Sequence, residues 1–300
     1  MDVLVSGASG LIGTALRPAL VAAGHRPVVL VRRPAQGADE IMWDPATGRL
    51  DRSAIEGMGA AVHLAGVGIA DKRWTDEQKR VLRDSRVQST GLLARAIAEL
   101  HEPPAVLVSA SAIGWYGDRG DEILTEKSAP GEGFLADLCK TWEAATAPAE
   151  QAGTRVAHIR TGIVLSPEGG ALKKELPLFR FGLGGRFGSG RQWQSWIALE
   201  DEVAAILHVL TAPVSGPVNL TAPNPVRNAE LTKTLGQVLH RPAVIPVPKI
   251  GPSLLLGGEL TDNLLYFSQR VLPTKLEDSG FTFTHPSLER ALRSMLISRD

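Results

Sequence analysis

Three glycines near the amino terminus follow one another at intervals of three residues. They lie in the segment Gly7-Ala-Ser-Gly-Leu-Ile-Gly13, after the apolar run Val3 to Ser6 and before apolar residues at helical spacing. Such a turn lets the backbone approach a pyrophosphate, and the first turn of the helix presents unpaired N–H groups to that anion. The strand, turn and helix together predict a dinucleotide-binding loop; the alternative is an ordinary glycine turn. The loop residues expected to contact the cofactor are Gly7, Ser9, Gly10, Leu11, Ile12 and Gly13.

Two arginines, Arg32 and Arg33, follow the second apolar run, Pro27 to Val31. An enzyme that uses NAD typically has a carboxylate at this place, which binds the ribose 2′-hydroxyl. Guanidinium groups instead match the 2′-phosphate of NADP, which a carboxylate would repel. The pair therefore predicts NADP(H) as the cofactor, the alternative being two exposed loop arginines that bind no ligand.

Strands and helices alternate along the first half of the chain. Apolar residues at helical spacing between Leu11 and Ala23 predict a first helix, in which Pro18 removes one hydrogen bond. Further strands are predicted at Ala60–Leu64, Ala105–Ser109 and Arg155–Arg160, and further helices at Thr75–Leu100, Gly133–Gln151 and Ser287–Leu296. This alternation is typical of the α/β class and predicts a Rossmann-type, doubly wound parallel sheet.

The sequence becomes richer in glycine and proline after Leu165. Residues 182–190 contain five glycines, and the elements that follow are short and separated by prolines. We therefore predict two domains. Residues 1–165 form the NADP-binding Rossmann domain, to which a segment near 200–222 could return, and residues 166–300 form a smaller substrate-capping domain.

Composition excludes several classes of protein. The 300 residues are 44% hydrophobic and 21% charged, with 32 basic and 32 acidic side chains. These values exclude a disordered chain and a polycationic nucleic-acid binder. The single cysteine, Cys139, excludes an intrachain disulfide and a zinc site of clustered cysteines. It is typical of a reducing compartment, and we read it as a packed core residue.

Neither a targeting segment nor a metal site is predicted. The chain begins without the basic and apolar regions of a signal peptide. The longest uncharged stretch, around Val203 to Val226, contains four prolines, which a membrane-spanning helix would not carry so densely. The seven histidines lack the spacing of metal ligands. We expect a cytoplasmic protein without a membrane anchor, metal or nucleic-acid partner.

Two sets of motifs occur along the chain. The first consists of the glycine loop, His63-Leu-Ala-Gly66, Val87–Leu93 and Ser109–Gly117. With these motifs the chain resembles the extended short-chain dehydrogenase/reductases over nearly its whole length. The second set consists of Trp43-Asp-Pro45, Arg73-Trp74, Asp84-Ser-Arg86, Gly188–Gln192 and Trp196-Ile197. With this set the chain resembles more narrowly their atypical branch, the nucleotide-sugar epimerase-like family, which ends in a small C-terminal domain of unknown function. The resemblance implies a Rossmann fold, a bound dinucleotide and a substrate cap, but no known reaction.

The resemblance also implies further contacts with the cofactor. The segment Arg160 to Val164 resembles the stretch whose backbone passes the nicotinamide in the family. Residues expected at the cofactor on this ground are Leu64, Ala65, Gly66, Ser109, Lys140, Thr161, Gly162 and Ile163.

The catalytic pattern of the family is incomplete in this chain. The family uses a Ser or Thr with a Tyr and a Lys four residues apart, and Ser111 and Lys140 match two of these positions. Ala136, which cannot titrate, stands where the Tyr belongs. In one interpretation Tyr116 replaces it as the proton donor or binds the substrate. In the other, Tyr116 is a packing residue of a protein that only binds the cofactor.

Aromatic and basic side chains are the candidates for substrate binding. The glycine-rich loop brings Arg186, Arg191, Trp193 and Trp196, whose rings and guanidinium groups suit a base, a sugar or a phosphate. The alternative is that the tryptophans pack in the core of the cap. Trp74 and Arg86 are candidates from the other side of the cleft, and Trp115 and Tyr116 are further candidates.

Two functional hypotheses follow. The first is an NADP(H)-dependent oxidoreductase or epimerase-like enzyme that acts on a small, sugar- or nucleotide-linked substrate. The second is a non-catalytic NADP(H)-binding regulator or scaffold, since the usual tyrosine is missing. A homodimer through the helices predicted at Thr75–Leu100 and Gly133–Gln151 is the expectation from the family.

Overall fold

The computed structural model describes residues 1–297; residues 298–300, the end of the predicted cap domain, lie outside the described part. The strands are β1 (Asp2–Ser6), β2 (Arg26–Val31), β3 (Glu40–Asp44), β4 (Arg49–Leu50), β5 (Ala60–His63), β6 (Val106–Ala112), β7 (Ile123–Leu124), β8 (Arg155–Thr161), β9 (Ile163–Leu165), β10 (Trp193–Gln194), β11 (Trp196–Ala198), β12 (Gly216–Leu220), β13 (Val226–Arg227) and β14 (Arg270–Val271). The helices are α1 (Leu11–Ala22), α2 (Asp76–Ala98), α3 (Phe134–Ala144), α4 (Ala147–Gln151), α5 (Gly170–Arg180), α6 (Leu199–Thr211), α7 (Asn228–Val238), α8 (Ile250–Leu256), α9 (Gly258–Thr261), α10 (Thr274–Asp278) and α11 (Leu288–Leu296). Short 3-10 turns lie at Ser53–Ile55 and Ile113–Tyr116, and a π-helical turn lies at Asp262–Tyr266.

Eight of these strands form one sheet, in the order β12-β8-β6-β5-β1-β2-β3-β4. Neighbouring strands are parallel except β3 and β4, which run antiparallel. Since β2 and β5 lie on opposite sides of β1, the order of the strands reverses there. Such sheets bind ligands in the crevice at the carboxyl ends of the strands beside this reversal. The predicted doubly wound, Rossmann-type sheet is confirmed.

Helices cover both faces of the sheet. Val3 and Val5 of β1 pack with α1 and α6, whereas Leu4 between them packs with α2. Successive residues of a strand point to opposite faces, so a strand buried on both sides appears in the sequence as a continuous apolar run. Each such buried side chain stabilises the fold by about 1.5–3 kcal/mol.

The start of α2 agrees with the sequence pattern. The hydroxyl of Thr75 accepts a hydrogen bond from the N–H of Gln78 at 3.1 Å. Asp76 and Glu77 lie in the first turn, where their charges oppose the positive end of the helix dipole. The helix ends at Ala98, slightly before the predicted end at Leu100.

The single helix predicted at Gly133–Gln151 is wrong, because the structure has two helices there. α3 ends at Ala144, and α4 begins at Ala147 with Pro148 in its first turn. Proline lacks the N–H that would bond to the carbonyl of residue 144, and its ring clashes with that carbonyl. Strand β3 has no counterpart among the predicted elements.

The chain leaves the main sheet after β8 and returns to it at β12. α5, α7 and α11 pack around a hydrophobic core of their own, to which Trp196 of β11 also belongs. Between α5 and α7 in the sequence, α6 packs against α1, and β12 pairs in parallel with β8. The main sheet therefore contains a strand from the second half of the chain.

Helices long and apolar enough to cross a lipid bilayer are absent from residues 1–297. α2 is 23 residues long, but charged side chains such as Asp84 and Arg95 occur along it.

Candidate active site

The glycine loop connects β1 to α1 at the strand where the sheet order reverses. A Cβ atom on Gly7 would lie 2.6 Å from the carbonyl carbon of Leu64, and one on Gly13 would lie 2.3 Å from the oxygen of Gly7. Gly7 also has a φ of 70°. Side chains at these two positions are therefore excluded by the protein itself.

Gly10 differs from its two neighbours in the motif. A Cβ atom on Gly10 would lie 3.4 Å from the oxygen of Gly7 and otherwise point into open space. No side chain caps the first turn of α1, and no acidic residue lies in that turn. Its N–H groups are consequently available to an anion. Ser9 is exposed beside them, and Leu11 and Ile12 are half-buried.

The two arginines after β2 have different surroundings. Arg33 forms a bidentate pair with Glu40, with distances of 2.7 and 2.6 Å. This pair lowers the pKa of Glu40 to about 2. Arg32 is exposed, and within the described residues no carboxylate lies within 4.0 Å of it. Of the two, Arg32 is the arginine with its donors available to a phosphate.

The loop after β5, Leu64 to Gly66, is held by a buried histidine. The Nδ1 atom of His63 lies 2.7 Å from the hydroxyl of Ser6, and its Nε2 lies 3.2 Å from the hydroxyl of Ser89. Because Ser89 donates to the carbonyl of Ser85, Nε2 carries the proton and Nδ1 accepts from Ser6. Burial lowers the pKa of His63 to about 4. The histidine is therefore neutral and structural.

Ser111, at the carboxyl end of β6, is bound to a carboxylate that the sequence analysis did not single out. Its hydroxyl donates to Oε1 of Glu143 at 2.6 Å. The guanidinium of Arg160 donates to both oxygens of Glu143, at 2.8 and 2.9 Å. The Arg160 and Glu143 side chains are only 3% and 9% exposed. A buried ion pair on α3 and β8 thus orients the serine hydroxyl.

Two weak signals in the sequence point to this ion pair. Glu143 interrupts the apolar face of the helix that carries Leu135, Leu138 and Trp142. Arg160 ends an apolar strand. Charged residues are almost never fully buried unless they are paired, so an acid and a base at predicted core positions indicate a pair.

Tyr116 lies inside the protein and uses its hydroxyl for internal hydrogen bonds. The side chain is fully buried. Its hydroxyl donates to Oδ1 of Asn219 at 2.6 Å and accepts from Arg160 at 3.2 Å. Burial raises the pKa of Tyr116. These contacts fit the packing interpretation better than the proton-donor interpretation. Asn219, on β12, is a further residue that the sequence analysis missed.

Position 136 and Lys140 lie one helical turn apart on α3. Ala136 is fully buried, whereas the Lys140 side chain is 39% exposed. The ammonium group of Lys140 donates to Asp137 at 3.0 Å. An exposed pair of this kind contributes little to stability, so Lys140 can leave it for a ligand.

The segment from Thr161 to Ile163 lies between two strands of the second half of the chain. Gly162 donates to the carbonyl of Leu220, and Ile163 donates to the carbonyl of Ser195. The Thr161 hydroxyl donates to Glu202 of α6 at 2.8 Å. Burial raises the pKa of Glu202 to about 8, and the bond from Thr161 opposes this shift. Ser109, one strand away, is fully buried.

The tryptophans predicted to bind substrate lie in different clusters. Trp74 packs with Phe134 and donates to the carbonyl of Ile69, and Trp196 is fully buried in the core of α5, α7 and α11. The burial of Trp196 fits the core-packing alternative, and Trp74 lies in a different hydrophobic cluster, with Leu82 and Leu260. Trp115 stacks on Arg160, whose guanidinium carbon lies 3.8 Å from the ring centre.

The remaining candidates for substrate binding lie near the protein surface. Trp193 is half-buried and donates to Asp121 at 2.9 Å. Arg186 donates to the carbonyl of Ser189, and Arg191 is exposed. Residues 1–297 contain no group of three or more His, Cys, Asp or Glu side chains that could hold a metal ion.

Comparison with known protein families gives two matches along the chain. The profile of the NAD dependent epimerase/dehydratase family matches residues 3–221. The chain belongs to this family. A second profile, the domain of unknown function DUF1731, matches residues 247–295. The family membership confirms the resemblance derived from the motifs, including the small C-terminal domain.

Similar proteins occur in bacteria and animals. The epimerase family protein MT2273 of Mycobacterium tuberculosis is 46% identical over 97% of this chain and 96% of its own. The human epimerase family protein SDR39U1, whose crystal structure was determined with NADPH, is 34% identical in sequence to this chain. The two structures superpose with a TM-score of 0.90, and the match covers 98% of this chain and 99% of the human one. The nucleoside-diphosphate sugar epimerase from Corynebacterium glutamicum is 39% identical, with a TM-score of 0.80 over 99% of this chain and 58% of that one.

Proposed function

We propose that this protein is an NADP(H)-dependent oxidoreductase or epimerase-like enzyme that acts on a small, sugar- or nucleotide-linked substrate. The observation that carries the proposal is the open surface of Gly10 beside the uncapped first turn of α1. A pyrophosphate fits there because it needs close approach to the backbone and several N–H donors. The human family member crystallised with NADPH supports the choice of cofactor.

We propose residues 1–165, with α6 and β12, as the cofactor-binding domain and the remaining residues as the cap. The residues of the glycine loop bind the pyrophosphate of NADP(H), and Arg32 binds its 2′-phosphate. The segments Leu64–Gly66 and Thr161–Ile163 flank the nicotinamide half of the cofactor. The single cysteine supports a reducing compartment such as the cytoplasm. The homodimer stays a prediction.

The bound nicotinamide supplies the hydride transfer in this proposal. The hydroxyl of Ser111 donates a hydrogen bond to Glu143. The lone pairs of the Ser111 oxygen can therefore accept a hydrogen bond from the substrate hydroxyl. Lys140 binds the ribose after it leaves Asp137. The buried Ala136 offers no proton donor at the usual place of the tyrosine. In the oxidation direction, the substrate hydroxyl then passes its proton to the Ser111 oxygen while Ser111 passes its own proton to Oε1 of Glu143, or the substrate passes its proton to a bound water.

We expect Arg32→Ala to weaken NADPH binding about ten- to a hundred-fold, the usual effect of losing a charge-assisted hydrogen bond. NADH affinity should stay unchanged, because NADH lacks the 2′-phosphate. Arg33→Ala should have a smaller effect, since Glu40 already occupies both of its terminal nitrogens. Fluorescence titration with each cofactor measures these affinities, with Arg83→Ala as the control. Equal binding of NADPH and NADH to the wild type contradicts the assignment of NADP(H).

We expect Tyr116→Phe to lower the free energy of unfolding by ~1–3 kcal/mol, because Asn219 and Arg160 each lose a buried partner. Turnover should fall less than about tenfold if Tyr116 only packs. A fall of ~10²–10⁴, the usual contribution of a positioned acid or base, with NADPH affinity retained would instead support Tyr116 as the proton donor. Denaturant unfolding and steady-state kinetics measure the two effects separately.

A turnover assay distinguishes the enzyme hypothesis from the hypothesis of a non-catalytic cofactor-binding protein. The purified protein is incubated with NADPH or NADP⁺ and with a panel of sugar nucleotides and carbonyl compounds. Absorbance of NADPH reports a net redox reaction, and chromatography of the sugars reports epimerisation without net redox change. NADPH binding with no product in either assay would support the regulator or scaffold.

A further inference from the structure

Arg86 on α2 is a half-buried arginine that packs against Trp142 of α3. One terminal nitrogen donates to the carbonyl of Leu82 at 3.1 Å. Its guanidinium carbon lies 5.1 Å from the centre of the Trp142 ring. The ring and the carbonyl hold the side chain in place from two sides, so little conformational entropy remains to be lost on binding.

Within the described residues, no carboxylate lies within 4.0 Å of Arg86. The two other inward-facing arginines of the sheet region are satisfied by the protein. Arg160 pairs with Glu143, and Arg155 donates to the carbonyls of Val209, Val214 and Leu210. Arg86 is half-buried, and its one hydrogen bond is to the carbonyl of Leu82. Its remaining N–H donors are therefore available to an anionic ligand.

The surroundings of Arg86 place it at the reaction end of the crevice. A Cβ atom on Gly66, in the loop after β5, would lie 3.4 Å from the guanidinium carbon of Arg86. Trp142, which the guanidinium of Arg86 packs against, and Glu143, which binds the hydroxyl of Ser111, are consecutive residues of α3. Arg86 and the oriented Ser111 therefore contact neighbouring positions of the same helix.

We propose that Arg86 binds an anionic group of the substrate, a carboxylate or a phosphate, while the reacting oxygen of the substrate lies at Ser111. This inference rests on the proposed function and adds to it that the substrate is an anion. The planar guanidinium presents parallel N–H donors that match two oxygens of such a group. Trp142 supports the guanidinium group from one side, with its ring centre 5.1 Å from the guanidinium carbon.

The test uses malonate and inorganic phosphate as probes of the two anion chemistries. Protein saturated with NADPH, which occupies the phosphate-binding loop, is titrated with each probe at constant ionic strength, and the melting temperature is followed. The wild type should be stabilised by at least one probe. Arg86→Gln should weaken that probe about ten- to a hundred-fold, and the control Arg83→Gln, on the exposed side of the same helix, should bind like the wild type.

Arg86→Lys gives a second measurement if Arg86→Gln folds poorly. It keeps the charge but loses the bidentate geometry, so the probe should bind with intermediate affinity. Stabilisation of Arg86→Gln equal to that of the wild type, or of the wild type by neither probe, overturns the inference. An equal loss of NADPH affinity in Arg86→Gln also overturns it, because Arg86 would then bind the cofactor. A wild type that binds no NADPH refutes the proposed function instead.

Discussion

Gly10→Val is expected to abolish NADPH binding while the protein stays folded. The branched side chain would occupy the open space beside α1 where the pyrophosphate has to approach the backbone. The new Cβ atom displaces no protein atom, since the nearest heavy atom to it is the oxygen of Gly7 at 3.4 Å. We expect an affinity loss of about a hundred-fold or more, equivalent to ~3 kcal/mol of binding free energy. Fluorescence titration with NADPH measures it.

Two comparisons make this experiment specific to the loop. Gly251→Val is the matched control, because a Cβ atom there would meet nothing within 4 Å in α8, away from the loop. Gly7→Ala should instead destabilise the fold, since its Cβ would lie 2.6 Å from Leu64. NADPH affinity that is unchanged in a folded Gly10→Val protein would show that the loop does not hold the pyrophosphate.

Glu143→Gln is expected to lower the free energy of unfolding by about 3–5 kcal/mol, the usual cost of removing one partner of a buried ion pair. The cause is the charge of Arg160, which stays buried at 3% exposure without a counter-ion. Turnover should fall as well, because Ser111 loses the carboxylate that accepts its proton. Denaturant unfolding and steady-state kinetics measure the two effects.

An exposed pair with similar geometry provides the control. Arg293 and Glu289 are 2.8 Å apart but 48% and 60% exposed, so Glu289→Gln should change stability by less than about 1 kcal/mol. The double variant Glu143→Gln with Arg160→Met should recover part of the loss, because it also removes the unpaired charge. A loss in Glu143→Gln no larger than in Glu289→Gln would contradict the role of the buried pair.

Local sequence patterns were sufficient to predict the strand and helix around the cofactor loop. The apolar run, the glycine turn and the helical spacing between residues 2 and 22 each depend on neighbouring residues, and so does the N-cap at Thr75. Patterns of this kind are readable because backbone geometry responds to residues within one or two turns. Proline is a less decisive local signal, because the helix breaks before Pro148, whereas α1 continues past Pro18.

The difference between Arg32 and Arg33 could not be predicted in the same way. Both are arginines after the same strand, yet Arg33 pairs with Glu40 of β3 and Arg32 does not. The pairing depends on the loop that brings β3 beside β2, a strand that the sequence analysis did not predict. Whether an arginine is available to a ligand is therefore decided by the partners that the fold brings to it.

Some features of the candidate catalytic centre can likewise be predicted from the local sequence, whereas others depend on the fold. Ser111, Lys140 and the absence of a tyrosine at Ala136 can be read from the sequence and the family motif alone. The partners of these residues come from distant parts of the chain: Glu143 and Arg160 converge on Ser111, and Asn219, 103 residues from Tyr116, binds its hydroxyl. Such contacts exist only once β6, β8 and β12 lie side by side in the sheet. Buried polar groups must find a partner, but the sequence does not say which one, because the pairing is settled by packing across the fold.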